Sequence, residues 1–324
     1  MSLEEYYSQV PFSPQPHPWL ANFFHEDDNK QKQTFFSLSE DRTILELRNK
    51  KICASAHDSF ILFDYDSGDC YIWNPISNDK IQMPPLSNIR SDKLQCLLSA
   101  PPHDGDQCSI LFFDPPSSLY FYKPSYDKKI HKHDIEIIIE GQQSHLTTCT
   151  VFKGKFYGLT CPGSILVHLD LDHDLGIVTV TPLVNQRAYG GGELLEMPRW
   201  GEYLIQSSCD GNDMLLCVTK LYYGWLLSQV YGFLVYRFDF EEKAWVKMES
   251  IGETAIFICG STGTRCSTRG NNLIKKGSIY FTEGRCVYLS DLETRKISIV
   301  SLPCPLVSKE NTNFSWLTLP HKCN

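Results

Sequence analysis

The sequence lacks the patterns that mark several large classes of protein. It contains no run of about 18 apolar residues, so no membrane-spanning helix is predicted. It contains no block of clustered lysine and arginine, and its 30 basic residues are outnumbered by 38 acidic ones, which gives a formal net charge of −8. Nucleic acid is therefore not an expected partner. Charged residues make up 21% and hydrophobic residues 42% of the chain, a composition typical of folded proteins.

Thirteen cysteines are present, but no two of them are separated by only two residues. The C-x-x-C spacing of zinc knuckles and thioredoxin-like redox pairs is therefore absent. The opening MSLEEYYSQV has neither the basic start nor the apolar stretch of a signal peptide, so we expect a reducing compartment, cytoplasmic and/or nuclear. We predict that most cysteines are reduced core residues, with a redox-sensing thiol as the alternative.

Motifs of catalysis and of nucleotide binding are also absent. Neither GGG at 190–192 nor GSTGTRCSTRG at 260–270 contains G-x-x-x-x-G-K-[ST], and no G-x-S-x-G nucleophile motif occurs. We therefore predict no catalytic residue, no cofactor and no enzymatic activity.

Three segments rich in Asp or His resemble metal sites. DYDSGD (64–69) and LDLDHDLG (169–176) lie between strand-like runs, and the glycine in each indicates a hairpin turn rather than a calcium loop. His131 and His133 share one face of a predicted strand, and we interpret them as a solvated edge. No metal ligand is predicted.

The dominant hydrophobic period is two, which predicts an all-β chain. Apolar runs rich in aromatic and β-branched residues, such as SFILFDY and FLVYRFDF, are short and bounded by turn residues. The best helical candidate, from Glu4 to Gln9, is too short to be stable alone. The strands come in packets of about 35 to 50 residues, each with room for four strands, and this spacing is typical of a β-propeller.

Five such packets are present, at 51–86, 93–135, 149–183, 201–251 and 255–303. The remaining pieces are a start with two predicted strands, FFSLS and ILELR, and an end with one, in FSWLTLP. Because pairing both chain ends in one blade removes exposed strand edges, we predict a sixth blade shared by the two termini. The expected organisation is a tail over 1–17, a single propeller of six four-stranded blades over 18–320, and a tail over 321–324.

Several motifs carry a family resemblance, and they occur in the family's order. They are the opening WLANFFHEDDNKQKQTFFSLSEDRTILEL, IWNPISNDKIQMPPL (72–86), VYRFDFEEKAWVKMESIGETAIFICGS (235–261) and GSIYFTE (277–283). The sequence resembles the plant family of F-box proteins with a C-terminal kelch-like propeller, which includes substrate receptors of the brassinosteroid pathway. The resemblance implies a propeller that binds a protein target, such as a kinase, as the substrate-binding part of a ubiquitin ligase.

One departure from that family concerns the F-box, a helical unit of roughly 45 residues that normally precedes the propeller. The propeller-like opening begins by Pro18, and the four prolines within 11–18 disfavour a helical hairpin. We therefore expect no F-box, and binding of the ligase adaptor by the usual route is in doubt. A decoy that binds the target without recruiting the ligase is one alternative. An enzyme that uses Asp or His from the inner strands of a propeller channel is another.

Two segments supply candidate partner-binding residues. KLYYGWLLSQVYG (220–232) carries aromatic residues of the types enriched in interface hot spots: Tyr222, Tyr223, Trp225 and Tyr231. The alternative is that this segment forms two extended strands with core aromatics. In a Gly/Ser/Thr-rich stretch predicted as a loop, Arg265 and Arg269 are suited to binding a carboxylate or phosphate group, and exposed arginines without a ligand are the alternative.

Overall fold

The computed structural model consists of strands and the turns between them. No helix long and apolar enough to cross a membrane is found in the part of the chain that it describes. The residues described are 17–25, 31–38, 44–85, 95–104, 106–115, 118–126, 129–139, 141–161, 164–183, 200–209, 212–223, 229–260, 262–284, 286–300 and 313–318.

The strands form six sheets, here called blades 1 to 6 in the order in which the ring is built. Blade 1 comprises β1 (Pro18–His25), β2 (Gln31–Ser37), β3 (Ile44–Arg48) and β26 (Asn313–Thr318). Blade 2 comprises β4 (Lys50–Ala56), β5 (Ser59–Asp64), β6 (Cys70–Trp73) and β7 (Lys80–Gln82). Blade 3 comprises β8 (Gln95–Leu98), β9 (Ile110–Asp114), β10 (Ser118–Tyr122) and β11 (His131–Asp134).

The other three blades follow along the chain. Blade 4 comprises β12 (Ile137–Ile139), β13 (Gln142–Phe152), β14 (Lys155–Cys161), β15 (Leu166–Asp172) and β16 (Ile177–Pro182). Blade 5 comprises β17 (Trp200–Cys209), β18 (Asn212–Tyr223), β19 (Gln229–Asp239) and β20 (Ala244–Met248). Blade 6 comprises β21 (Thr254–Cys259), β22 (Thr262–Ser267), β23 (Ser278–Glu283), β24 (Cys286–Asp291) and β25 (Ile297–Val300).

The blades close into a ring. The innermost strands β26, β4, β8, β13, β17 and β22 each contact the next one, and β22 contacts β26 in turn. This arrangement confirms the predicted six-bladed propeller. Four blades have four strands, while blades 4 and 6 each carry a fifth.

The chain ends meet in blade 1, as the sequence predicts. The innermost strand β26 pairs antiparallel with β1, from Pro18 opposite Thr318 to Phe23 opposite Asn313. The N-terminal share is three strands rather than the two predicted. The missed strand, β1, carries Pro18 and polar residues that weaken its alternating pattern, and the proline is tolerated because it is the first residue of the strand.

The two additional strands have different origins. In blade 4, β12 forms a short hairpin with the first residues of β13, and Gly141 supplies the positive φ of 77° that the turn needs. In blade 6, β21 lies between β22 and β23, antiparallel to the first and parallel to the second. The innermost strand of this blade is therefore β22, which follows β21 in sequence.

Seven of the ten cysteines for which the structure describes a side chain are buried, and all ten are free thiols. Burial raises the pKa of Cys108 to about 11 and that of Cys259 to about 12. For these ten residues the prediction that most cysteines are core residues is confirmed.

Buried glutamines join neighbouring blades at β-bulges. Gln33 of blade 1 accepts a hydrogen bond from the Ile52 amide at 2.7 Å, beside the bulge in β4. Gln95 of blade 3 accepts one from the Cys149 amide at 2.9 Å, beside the bulge in β13. Because a bulge leaves peptide groups unpaired, each side-chain amide substitutes for a missing strand partner.

Replacing Gln95 with Leu tests this role. The substitution removes the acceptor for the buried Cys149 amide, so we expect a loss of about 1–3 kcal/mol in the free energy of unfolding. Urea denaturation measures it, with Gln82→Leu on the exposed edge of blade 2 as the control. A Gln95→Leu protein as stable as the control would contradict the assignment.

Trp316 tests the closure of the ring. Its indole N–H donates to the Ile258 carbonyl of blade 6 at 3.3 Å, and its ring lies 5.0 Å from that of Phe257. Trp316→Ala is expected to cost about 3–5 kcal/mol, and Trp316→Phe, which keeps an aromatic ring, about 1 kcal/mol. Equal denaturation midpoints for the two variants would show that packing of the Trp316 side chain does not stabilise the contact between blades 1 and 6.

Candidate functional site

The two ends of blade 5 define the two rims of the ring. The upper rim is the end at which β17 begins, where Trp200 pairs with Leu221, and the lower rim is the end at which Cys209 pairs with Asn212. Two contacts with blade 5 assign the ends of blade 6 to the same rims. Glu283 contacts Lys220 at the upper rim, and Arg265 contacts Ser207 towards the lower rim.

The predicted tyrosines lie at the upper rim. Tyr222 is half-buried in β18, and Tyr231 is half-buried in β19, where it is the extra residue of a bulge. The backbone of Tyr223 pairs with Gln229 at the end of the hairpin, and its side chain lies outside the described part. Trp225 lies outside the described residues altogether. The described parts of the segment, 220–223 and 229–232, lie in two extended strands, as the alternative held, but the rings of Tyr222 and Tyr231 are only partly buried.

A buried lysine lies beside Tyr222. Lys220 is 3% exposed, and its ammonium donates to Oε2 of Glu283 in blade 6. The same Nζ lies 5.3 Å from the ring centroid of Tyr222 and 5.0 Å from that of Phe281. One carboxylate and two ring faces therefore compensate the buried charge.

Blade 6 contributes an aromatic stack to the same place. The rings of Phe281 and Tyr288 stack with centroids 5.3 Å apart, and these two residues are cross-strand partners in β23 and β24. Glu283 is two residues beyond Phe281 and so lies on the same face of the sheet. Tyr203, Lys220, Tyr222, Phe281, Glu283 and Tyr288 are together called the rim cluster below.

The remaining polar groups of this region, Tyr203 and Cys259, are not activated for catalysis. Burial raises the pKa of the Tyr203 phenol. The Cys259 thiol accepts a hydrogen bond from the Thr282 hydroxyl at 2.9 Å, but burial outweighs this effect and raises its pKa to about 12. Both groups are therefore protonated at neutral pH, and neither is an activated nucleophile.

The predicted arginines lie elsewhere, and one prediction about them is wrong. Arg265 is in strand β22 rather than in a loop. Its guanidinium donates to Ser207 Oγ at 2.6 Å, to Thr254 Oγ1 at 2.9 Å and to the Ile251 carbonyl at 3.3 Å. The sequence stretch is rich in Gly, Ser and Thr, yet 262–267 pairs with β21 along its whole length, so long-range pairing overrides its turn-like composition.

The arginines and the tyrosines do not form one surface. Ser207, which Arg265 contacts, lies roughly 23 Å along β17 from Trp200, at about 3.3 Å per residue. Arg269 is exposed in the turn that follows β22, near the same lower rim. A role for either arginine in binding a partner stays a prediction.

The metal-like segments are turns that use their own carboxylates. Asp64 Oδ1 accepts hydrogen bonds from the amides of Asp66 and Ser67 at 2.9 and 3.3 Å. Asp172 Oδ1 accepts one from the Leu175 amide at 2.8 Å. His131 stacks on Phe121 with centroids 5.2 Å apart. Within the described ranges, no group of three or more His, Cys, Asp or Glu side chains is placed to hold a metal ion.

Sequence reasoning named Tyr222 but missed its charged neighbours. Lys220 and Glu283 are 63 positions apart, and neither was selected as a candidate. The available signal was Lys220 itself, because a lysine inside the apolar run MLLCVTKLYY must find a partner if the strand is buried.

Substitution of the two arginines separates structural from surface roles. Arg265→Met removes hydrogen bonds that join blades 5 and 6, so we expect a loss of about 1.5–3 kcal/mol in unfolding free energy. Arg269→Ala, at an exposed position, is expected to stay within about 0.5 kcal/mol of the parent. Thermal and urea unfolding measure both, and equal stabilities would contradict the structural role of Arg265.

Comparison with known proteins identifies the family. No curated protein matches the sequence. Among solved structures, similar chains include a mutant of AofleA from Arthrobotrys oligospora, with 9% identity, a TM-score of 0.39 and coverage of 93% of this chain and 86% of that one. Apo AztD from Citrobacter koseri has 8% identity, a TM-score of 0.37 and coverage of 94% and 90%. An oligogalacturonate lyase in complex with manganese has 10% identity, a TM-score of 0.33 and coverage of 90% and 86%. Similarities this low carry no functional argument.

Residues 30–301 match the KIB1-4 beta-propeller family, and the chain belongs to that family.

Proposed function

We propose that this protein is a non-catalytic recognition propeller that binds a protein partner at the upper rim of blades 5 and 6. The observation that carries the proposal is the rim cluster, in which half-buried tyrosines lie beside a buried lysine and the partly exposed carboxylate that it binds. Aromatic side chains next to charged groups are typical of interface hot spots. Membership of the propeller family supports an interaction role.

Recognition is favoured over catalysis by the chemistry of the channel-side strands. Across the six innermost strands, the only carboxylate is that of Glu202, and its Oε1 accepts a hydrogen bond from the Ser164 hydroxyl of blade 4. An acid–base mechanism in the channel needs two ionisable groups that converge on one substrate. These strands do not supply a pair of carboxylates, and their one histidine, His145 of β13, is exposed. The enzyme alternative therefore has no specific observation in its favour.

The resemblance to F-box-associated propellers extends the proposal to the fate of the partner. In that role the partner is a target for ubiquitination, such as a kinase, and the propeller selects it. A decoy role is the competing form of the proposal. Co-precipitation with the ligase adaptor separates the two, because a decoy binds the target without the adaptor.

Partner capture tests the use of the upper rim. Tagged parent protein, Tyr222→Ala and Tyr126→Ala are each incubated with plant extract, and bound proteins are quantified by mass spectrometry. Tyr126 is the matched control because it is a tyrosine 60% exposed in the blade 3 turn between β10 and β11, away from the rim cluster. We expect at least one partner to bind the parent and Tyr126→Ala equally and to lose about tenfold in affinity with Tyr222→Ala, or ~1.4 kcal/mol.

Folding of Tyr222→Ala is verified by its thermal midpoint before capture, because its ring also contacts Lys220. Partners that bind Tyr222→Ala as well as the parent would place recognition elsewhere on the ring. Copurification of a small molecule with no protein partner would contradict the proposal as a whole.

A further inference from the structure

Glu283 occupies an unusual position in the rim cluster. Its side chain is 40% exposed although the lysine that it pairs with is 4% exposed. Oε2 receives the Lys220 ammonium, while Oε1 accepts no hydrogen bond from any residue that the structure describes. An ionised carboxylate has about four acceptor positions, so Glu283 retains capacity for a further donor.

The surroundings of Glu283 favour a cation with a flat face. Tyr222 and Tyr288 are half-buried rings near this carboxylate, and Tyr288 stacks on the buried ring of Phe281. Aromatic faces attract cations, and a guanidinium stacks on them better than an ammonium does. The net charge of −8 also attracts a basic segment at long range and disfavours an acidic one.

Lys220 does not occupy the remaining acceptor positions of the Glu283 carboxylate. Its ammonium is buried below the carboxylate, held between Glu283 and the rings of Tyr222 and Phe281. It fixes one oxygen of the carboxylate at the rim, and the exposed remainder of the group faces solvent. The charge arrangement is therefore a buried cation and, at the surface, a carboxylate that retains capacity to accept a hydrogen bond.

We propose that Glu283, flanked by Tyr222 and Tyr288, receives an arginine side chain of the protein partner. The guanidinium donates to Oε1 and stacks on the tyrosine rings. This inference rests on the proposed function and specifies its chemistry: the recognised segment is basic and places one arginine in the cluster.

Short peptides test the proposal directly. The probes are Ac-Gly-Ser-Arg-Ser-Gly-NH2 and the same peptide with citrulline, which has nearly the shape of arginine but no charge. Binding to the full chain is followed by ligand-observed NMR. We expect the arginine peptide to bind and the citrulline peptide to bind roughly tenfold more weakly, because the charge-assisted hydrogen bond is lost.

Two substitutions with the same change in net charge provide the control. Glu283→Gln keeps an acceptor for Lys220 but removes the charge, and Glu293→Gln removes an exposed carboxylate in the turn between β24 and β25. We expect about a tenfold loss of arginine-peptide affinity for Glu283→Gln and less than a twofold change for Glu293→Gln. Equal losses would show a general field effect and overturn the proposal, as would equal binding of the two peptides or no binding to the parent.

A second variant covers the case in which Glu283→Gln does not fold. Glu283→Asp keeps the charge but withdraws it by one methylene, and it is expected to weaken the arginine peptide by several-fold; parent-like binding would overturn the proposal. Failure of the arginine-site proposal is distinguishable from failure of the proposed function. Loss of partner capture in Tyr222→Ala with no effect of Glu283→Gln would reject the arginine site alone.

Discussion

The antiparallel pairing of β26 with β1 is the contact on which the rest of the ring depends. It joins the two ends of the described chain in one sheet and removes two strand edges that would otherwise be free. β26 also packs on both neighbours, because successive side chains point to opposite faces. Trp316 lies in the cluster with Phe257 of blade 6, and Leu317 lies in the cluster with Ile52 of blade 2. One short strand therefore fixes the position of both adjacent blades.

Blades 5 and 6 contact each other differently in the interior, at the lower rim and at the upper rim. In the interior, β22 approaches blade 5 closely, since a Cβ on Gly263 would lie 2.6 Å from Cδ1 of Ile205. Towards the lower rim, Arg265 adds its hydrogen bond to Ser207. These contacts hold the two sheets together in the interior and towards the lower rim. At the upper rim the Lys220–Glu283 pair joins the same two blades, and half-buried tyrosines lie at the surface beside it.

The sequence predicts the fold better than it predicts the site. The period of two, the five packets and the shared sixth blade follow from local alternation and from the need to remove strand edges. The position of β21 between β22 and β23 does not, because strand order within a sheet depends on long-range pairing. At the site, residue type alone pointed to Tyr222. The Lys220–Glu283 contact could not be found, because the two residues lie on different blades and meet only when the ring closes. The composition around Arg265 favoured a loop, and pairing with β21 makes it a strand.

The Lys220–Glu283 pair is the feature that stability alone does not explain. Replacing a buried ion pair by apolar residues of similar size is often neutral or stabilising, because desolvation offsets the Coulomb attraction. The surrounding cluster is apolar, with Val218, Phe233 and Phe281 in contact across the two blades, and a leucine at position 220 would suit it. A lysine there instead holds a carboxylate at the rim in a defined orientation, which an apolar residue cannot do. A carboxylate that is already fixed at the surface would lose little conformational entropy on binding a cation, which is the property that the proposed arginine site requires.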